Sequence, residues 1–252
     1  MMLETRPDVS VVIPAYNEAA RLPRTLARVS RFLSGRPHEI VVVDDGSTDG
    51  TAAAARAAGG PGLVLLRHEG NRGKGYAVRR GMLAARGQRR LMSDADLSTP
   101  IEELARVEAC LDAGYDVAIG SRAMPGAQVE VRQPWYRENV GRLFNVFVRV
   151  LAVPGLRDTQ CGFKLFSARA ADAVFGAARL DGFSFDVEAL FIARRLGYRV
   201  AEVPVVWRND AATRVGLLGG FQAFPDLLRI RLHDWRGYYE PGRAVAGDGS
   251  AL

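Results

Sequence analysis

Cysteine is scarce: Cys110 and Cys161 are the two in 252 residues. They lie far apart and show no CxxC or Cys/His spacing, which excludes a disulfide framework and a structural zinc site. The sequence also lacks any run of 18 uncharged apolar residues, so no transmembrane helix is expected. The N-terminus, MMLETRPDVS, has neither the apolar stretch nor the small-residue cleavage site of a secretion signal, and the cytoplasm is the expected compartment. Basic blocks, helix-turn-helix spacing and RNP-like aromatic motifs are missing as well, which argues against nucleic acid as a partner despite the net charge of +6. The basic excess lies mostly beyond residue 120 and suits a phosphate-bearing substrate at an anionic membrane surface. Lysine is the last scarcity: the 34 basic residues include only Lys74 and Lys164. In so arginine-rich a chain, a lysine marks a place where a compact ammonium suits better than a planar fork.

What is present is a strand-helix alternation. VSVVIP (9–14) and EIVVV (39–43) are continuous apolar runs of the kind that form parallel strands buried on both faces. Further strands are expected at 63–66, 90–93, 117–120, 163–166 and 200–206. Helices are expected within 17–33 and at 51–58, 73–86, 101–113, 137–153 and 186–196. Residues 124–135 read as a loop, and 216–239 as an aromatic- and leucine-rich segment broken at Pro225. Such alternation predicts an α/β fold with a mostly parallel, doubly wound sheet, whose ligands lie beyond the carboxyl ends of the strands. The polar clusters follow strands at Pro14, Val43, Ser93 and Gly120, where a site would form.

Three clusters carry chemistry. Asp94 and Asp96, two apart on an extended strand end, project to one side and present hard oxygen donors for Mg²⁺ or Mn²⁺. Taken alone, such a pair equally caps the helix that follows, and the strand-end position favours the metal. Asp45, in DDGSTDG after the second strand, suits a nucleoside's ring N–H or ribose hydroxyls, while Ser47 and Asp49 suit helix capping. NRGKG (71–75) is a glycine-rich turn whose backbone N–H groups, with Lys74, suit an anion.

Taken together and in order, VSVVIPAYNEAARLPRTL, EIVVVDDGSTDGT, NRGKGYAVRRG and the DAD strand resemble the inverting family 2 glycosyltransferases. GSRA, RDTQCGFKLF, FSFDVEALFIARRLG and AEVPVVW resemble, more narrowly, the dolichyl-phosphate β-glucosyltransferase and polyprenyl-phosphate glycosyltransferase branch. The resemblance spans roughly residues 9–235. It implies a GT-A-like fold, with residues 1–120 as the nucleotide-sugar half and 121–240 as the acceptor half; beyond it, the tail 241–252 reads as disordered. It further implies donor contacts from Pro14, Tyr16, Glu18, Asp45, Lys74 and Asp94, and metal ligation by Asp96 with Asp94. Arg122, Arg137 and Arg214 align with positions that hold acceptor phosphate and diphosphate in the branch. Around Arg214 the turn is Ala-Thr-Arg, where the branch usually has Gly-Ser-Lys. The eukaryotic members carry an N-terminal membrane helix, and no such helix is expected within these residues.

The implied reaction is a single inverting displacement, with UDP-glucose as donor and a polyprenyl phosphate as acceptor. Asp96, Arg122, Arg137 and Asp158 would form its catalytic set. A phosphate acceptor needs no general base, whereas an alcohol would need one, with Asp158, Asp186 and Glu188 as candidates. The alternatives are another nucleotide sugar such as GDP-mannose, a soluble or protein hydroxyl acceptor, or a non-catalytic nucleotide-sugar-binding or membrane-docking protein. A pyrophosphorylase would carry a longer glycine-rich loop near its first strand than AYNEAARL provides. Segments 137–153 and 216–239 suit peripheral membrane contact, internal packing or a homodimer interface.

Overall fold

The computed structural model describes residues 6–131, 152–208 and 217–240. Seven strands form one sheet in the order β3-β2-β1-β4-β7-β5-β8. They are β1 (Val9–Ala15), β2 (His38–Asp44), β3 (Leu63–Arg67), β4 (Arg89–Ser93), β5 (Val117–Ser121), β7 (Phe163–Ser167) and β8 (Val200–Pro204). All neighbouring pairs are parallel except those of β7, which runs antiparallel to both β4 and β5. A second, two-stranded sheet pairs β6 (Gln128–Val131) with β9 (Val206–Arg208).

The sheet is buried on both faces because its strands are apolar at successive positions. In β1, Val9, Val11 and Ile13 enter one core with Leu22, Leu26 and Val29, while Val12 enters the other with Met82, Phe166 and Leu190. The helices are α1 (Leu22–Leu33), α2 (Thr51–Ala58), α3 (Lys74–Ala84), α4 (Leu104–Asp112), α5 (Ala168–Ala177), α6 (Phe185–Arg195) and α7 (Leu217–Trp235). In α6 the nine residues from Phe185 to Ala193 are all buried, so it is a core helix and not a surface one.

Several expected elements differ. The 17–33 segment becomes helical only at Leu22, and 101–113 opens with a 3₁₀ turn over Ile101–Glu103. The supposed loop 124–135 contains β6, which finds its partner far along the chain in β9. The single strand expected at 200–206 is two strands in different sheets, separated at Val205. Val205 belongs to both ladders: its N–H gives the last bond to β5, to Ser121 O at 3.3 Å, while its carbonyl turns the other way and accepts from Gln128 N of β6 at 3.1 Å. Helix α7 runs through Pro225 instead of breaking there; Leu227 and Ile230 on its inner side are buried, and that packing offsets one lost backbone bond. The expected helix at 137–153 (apart from its last two residues), Arg137, Arg214 and the 241–252 tail lie outside the described residues.

Candidate active site at the carboxyl edge of the sheet

Parallel β1, β2, β4 and β5 end on one edge, and antiparallel β7 begins there. One edge therefore gathers the segment after β1, the DDGSTDG turn, the DAD turn, Arg122 and the chain entering β7. The first two are tied together: Asn17 accepts from Thr48 N at 2.9 Å and Asp49 N at 3.3 Å, and its own N–H donates to Ser47 Oγ at 2.9 Å. Among the described residues, Asn17 (φ 56°) and Leu97 (φ 47°) are the non-glycine positions with left-handed backbone, and both border this site. Such conformations persist where the surroundings over-determine them, as at functional sites.

Pro14 is partly buried, Tyr16 is exposed at this edge, and Glu18 pairs with Arg21 at 2.7 Å. The buried Asp45 carboxylate accepts from Arg72 N at 2.9 Å and Gly73 N at 3.0 Å, with His68 Nε2 3.3 Å away. Asp45 thereby fastens the NRGKG turn to the end of β2. The next donors, Gly75 N and Tyr76 N, both give to Asp181 O, at 2.8 and 3.3 Å. This corrects the reading of the NRGKG backbone as an anion cradle: the N–H groups of Arg72, Gly73 and Gly75 are already engaged. Gly73 sits at φ 102° with Asp181 O so close that a Cβ would overlap it. The cation of this turn, Lys74, opens α3 and points into the site.

Lys74 Nζ lies 2.6 Å from Asp94 Oδ1. Burial would lower its pKa, but attraction by Asp94 and Asp186 outweighs this and raises it. Asp96 accepts from Ser98 N at 2.8 Å. Its own pKa is raised, first by burial and then by repulsion from Asp94, against the pull of Ser98 and Lys74. Two hard carboxylates that repel one another suit a divalent cation between them. Among the described residues no group of three or more His, Cys, Asp or Glu side chains forms a metal cage. The protein would supply Asp94 and Asp96, leaving the remaining positions to diphosphate oxygens and water.

Asp94 is seated by the chain entering β7. Its N–H donates to Gly162 O at 3.1 Å, and a Cβ at Gly162 would overlap the Asp94 carboxylate. Gly162→Ala is therefore expected to displace that carboxylate and lower kcat/KM about a hundredfold. Steady-state kinetics beside an unchanged far-UV dichroism spectrum would check it.

Arg122 and Asp158 form a second unit. Asp158 Oδ2 accepts from Arg122 N at 2.8 Å and Arg122 Nε at 2.7 Å, and Oδ1 accepts from Nη2 at 2.8 Å. Burial alone would push the Asp158 carboxyl up, but Arg122 more than reverses this and holds it below the ordinary range. Arg122 packs over the Trp207 ring at 5.3 Å, and Nη1 stays outside the Asp158 pair. Between the two units sits Cys161, whose thiol is pushed up to about 11 by burial first and then by Asp158, leaving it protonated at neutral pH.

Sequence reasoning missed a third unit beneath the site. Lys164 Nζ donates to Asp186 Oδ1 and, at 2.6 Å, to Cys161 O; both side chains are buried. Lys74 and Lys164 therefore share one carboxylate cluster with Asp94 and Asp186. The scarcity of lysine was the signal; the antiparallel course of β7, which brings the two together, is not written in any local pattern. The third alcohol-base candidate, Glu188, is fully buried and accepts from Tyr239 Oη at 2.7 Å, Arg179 N at 3.0 Å and Leu180 N at 2.8 Å.

The chain is 36% identical over 242 residues to "Dolichyl-phosphate beta-glucosyltransferase" of Dictyostelium discoideum, covering 88% of this chain and 73% of that protein. The Homo sapiens protein of the same name is 35% identical over 243 residues, covering 89% and 75%. Among solved structures, glucosyl-3-phosphoglycerate synthase of Mycobacterium tuberculosis in complex with UDP aligns at TM-score 0.64 and 22% identity, covering 89% of this chain and 80% of that one. Mannosyl-3-phosphoglycerate synthase of Rubrobacter xylanophilus aligns at TM-score 0.66 and 21% identity, covering 97% and 79%. These neighbours establish the GT-A-like fold. Residues 10–175 match the family described as "Glycosyl transferase family 2", and the chain belongs to that family of glycosyltransferases.

Proposed function

We propose that the protein transfers glucose from UDP-glucose to a polyprenyl phosphate with inversion, within one catalytic unit over residues 1–240. The observation that carries the acceptor class is the state of the acids. Asp158 is clamped by Arg122, Asp186 is paired with Lys164, and Glu188 is sealed under Tyr239. Each candidate base for an alcohol acceptor is thus already committed. An acceptor that arrives ionised, as a phosphate does, needs no base. The names of the relatives, dolichyl-phosphate β-glucosyltransferases, fit the same acceptor and sugar.

In this reading residues 1–120 hold the donor and 121–240 the acceptor. Pro14, Tyr16, Glu18 and Asp45 line the nucleoside end, and Asp94, Asp96 and Lys74 meet the diphosphate. Asp94 and Asp96 would hold Mg²⁺ or Mn²⁺, which supplies Lewis-acid neutralisation of the departing diphosphate when bound. Asp158 fixes the plane of the Arg122 guanidinium, so that its outer edge orients the acceptor phosphate in line with the anomeric carbon. Arg137 and Arg214 complete the anion-binding set. Asp158 acts through Arg122 and takes no proton.

The acceptor's lipid calls for a membrane surface. No described helix is long and apolar enough to cross one. On α7, however, Leu228, Leu232 and Trp235 recur at helical spacing and are 67%, 40% and 84% exposed, with Arg229 and Arg231 beside them, while Leu227 and Ile230 face the core. One face of this helix packs and the other presents an apolar stripe edged with arginine, as suits the headgroup boundary of an anionic bilayer.

The test is transfer from UDP-glucose to a polyprenyl phosphate held in vesicles, with Mg²⁺ or Mn²⁺ and with a chelator. Metal-dependent glucosyl-lipid is the expected product. Transfer only to an alcohol, or only from GDP-mannose, would overturn the acceptor or the donor respectively.

A further inference from the structure

The second inference rests on the metal and nucleotide-sugar reading above and concerns what occupies Asp94 before the donor arrives. We propose that Lys74 is a resident counter-cation, whose ammonium holds Asp94 until a divalent cation entering with the donor displaces it onto the donor's diphosphate.

The geometry supports an exchange of this kind. Asp94 Oδ2 faces Gly162 so closely that no Cβ fits between them, and Asp94 Oδ1 is shielded from solvent with no hydrogen-bond donor other than its ion-pair partner, Lys74. The ammonium therefore stands on the carboxylate a metal would need. The base of Lys74 is fixed, because Asp45 grips the N–H of Gly73 and Asp181 O accepts from Gly75. The side chain as a whole is not sealed in: it is 26% exposed. Lys164 cannot substitute, since its ammonium is buried and held by Cys161 O and Asp186. A dication and an ammonium on the same carboxylate would repel strongly in this partly buried site, so both cannot stay. An ammonium on a flexible stem can turn to a phosphate oxygen, which a guanidinium fork fixed in a bidentate pair does less readily.

Two consequences follow. Divalent metal binds the free enzyme weakly, because it must expel a cation. Nucleotide strengthens metal binding and metal strengthens nucleotide binding by the same factor, and beyond what diphosphate oxygens on the metal supply, because the diphosphate also receives the displaced ammonium.

Mn²⁺ binding, followed by loss of the free-ion electron paramagnetic resonance signal with and without UDP, tests this without turnover. Lys74→Gln is expected to bind Mn²⁺ without nucleotide about tenfold more tightly than the native protein and to be strengthened less by UDP, keeping only the part that diphosphate oxygens on the metal supply. Lys74→Arg keeps the charge and should stay close to the native affinity, which separates charge from packing. Unchanged or weaker Mn²⁺ binding by Lys74→Gln, with the native protein binding Mn²⁺ and UDP together, would overturn the exchange alone. Absence of Mn²⁺ binding by the native protein even with UDP would overturn the metal reading and the exchange with it.

Discussion

Asp96→Asn is expected to reduce glucosyl transfer roughly a thousandfold, equivalent to about 4 kcal/mol of transition-state stabilisation, with no loss of thermal stability. The substitution is nearly isosteric and can still accept from Ser98 N, so the turn keeps its hydrogen bond. Burial and the neighbouring Asp94 charge both raise the pKa of native Asp96, so its charge is carried at a cost. Neutralising it relieves that repulsion, and the melting temperature should hold or rise. A group whose charge works against stability and for activity has the signature of a functional residue. Initial rates at saturating donor and acceptor, beside a thermal melt, check both halves. Activity within tenfold of native would remove Asp96 from the metal site. A large fall in melting temperature would assign it a structural role instead.

The sequence made the donor edge legible because that edge is built from consecutive residues. DDGSTDG, NRGKG and DAD each follow a strand whose apolar run is plain, so position along the strand gives position in the site. The acceptor edge is different. RDTQCG is near Asp94 only because β7 runs antiparallel, and no local pattern reports strand direction. Asp158 read as a candidate base because its pairing partner, Arg122, lies 36 positions earlier. The NRGKG backbone read as an anion cradle because its acceptor, Asp181 O, lies over a hundred positions away. The same holds for β6, whose four residues make a strand only when β9 is beside them. Propensity and periodicity describe what a segment can do, and long-range partners decide which option it takes.

Lys164→Met is expected to destabilise the protein by about 3–5 kcal/mol, because it leaves Asp186 buried without its partner. For a chain of this size that corresponds to a fall of roughly 10 °C in melting temperature. Lys164 lies in β7, near the centre of the sheet, and is 1% exposed, so water cannot replace the lost ammonium. The remaining neighbour, Lys74, is already paired with Asp94. The effect should depend on pH in a definite direction. Burial raises the Asp186 pKa even with lysine beside it, and removing Lys164 raises it further. Its folded pKa then exceeds the unfolded value of about 3.9, so between the two the folded state binds more protons. Stability of the variant is therefore gained as pH falls and lost as pH rises through the folded pKa. Urea titrations at pH 5 and pH 7.5 should show a smaller deficit against the native protein at the lower pH. The double variant Lys164→Met, Asp186→Leu should recover most of the loss, since an apolar pair leaves no buried charge. A deficit of equal size at both pH values, or no recovery in the double variant, would mean that lost packing in β7, and not the stranded carboxylate, sets the cost.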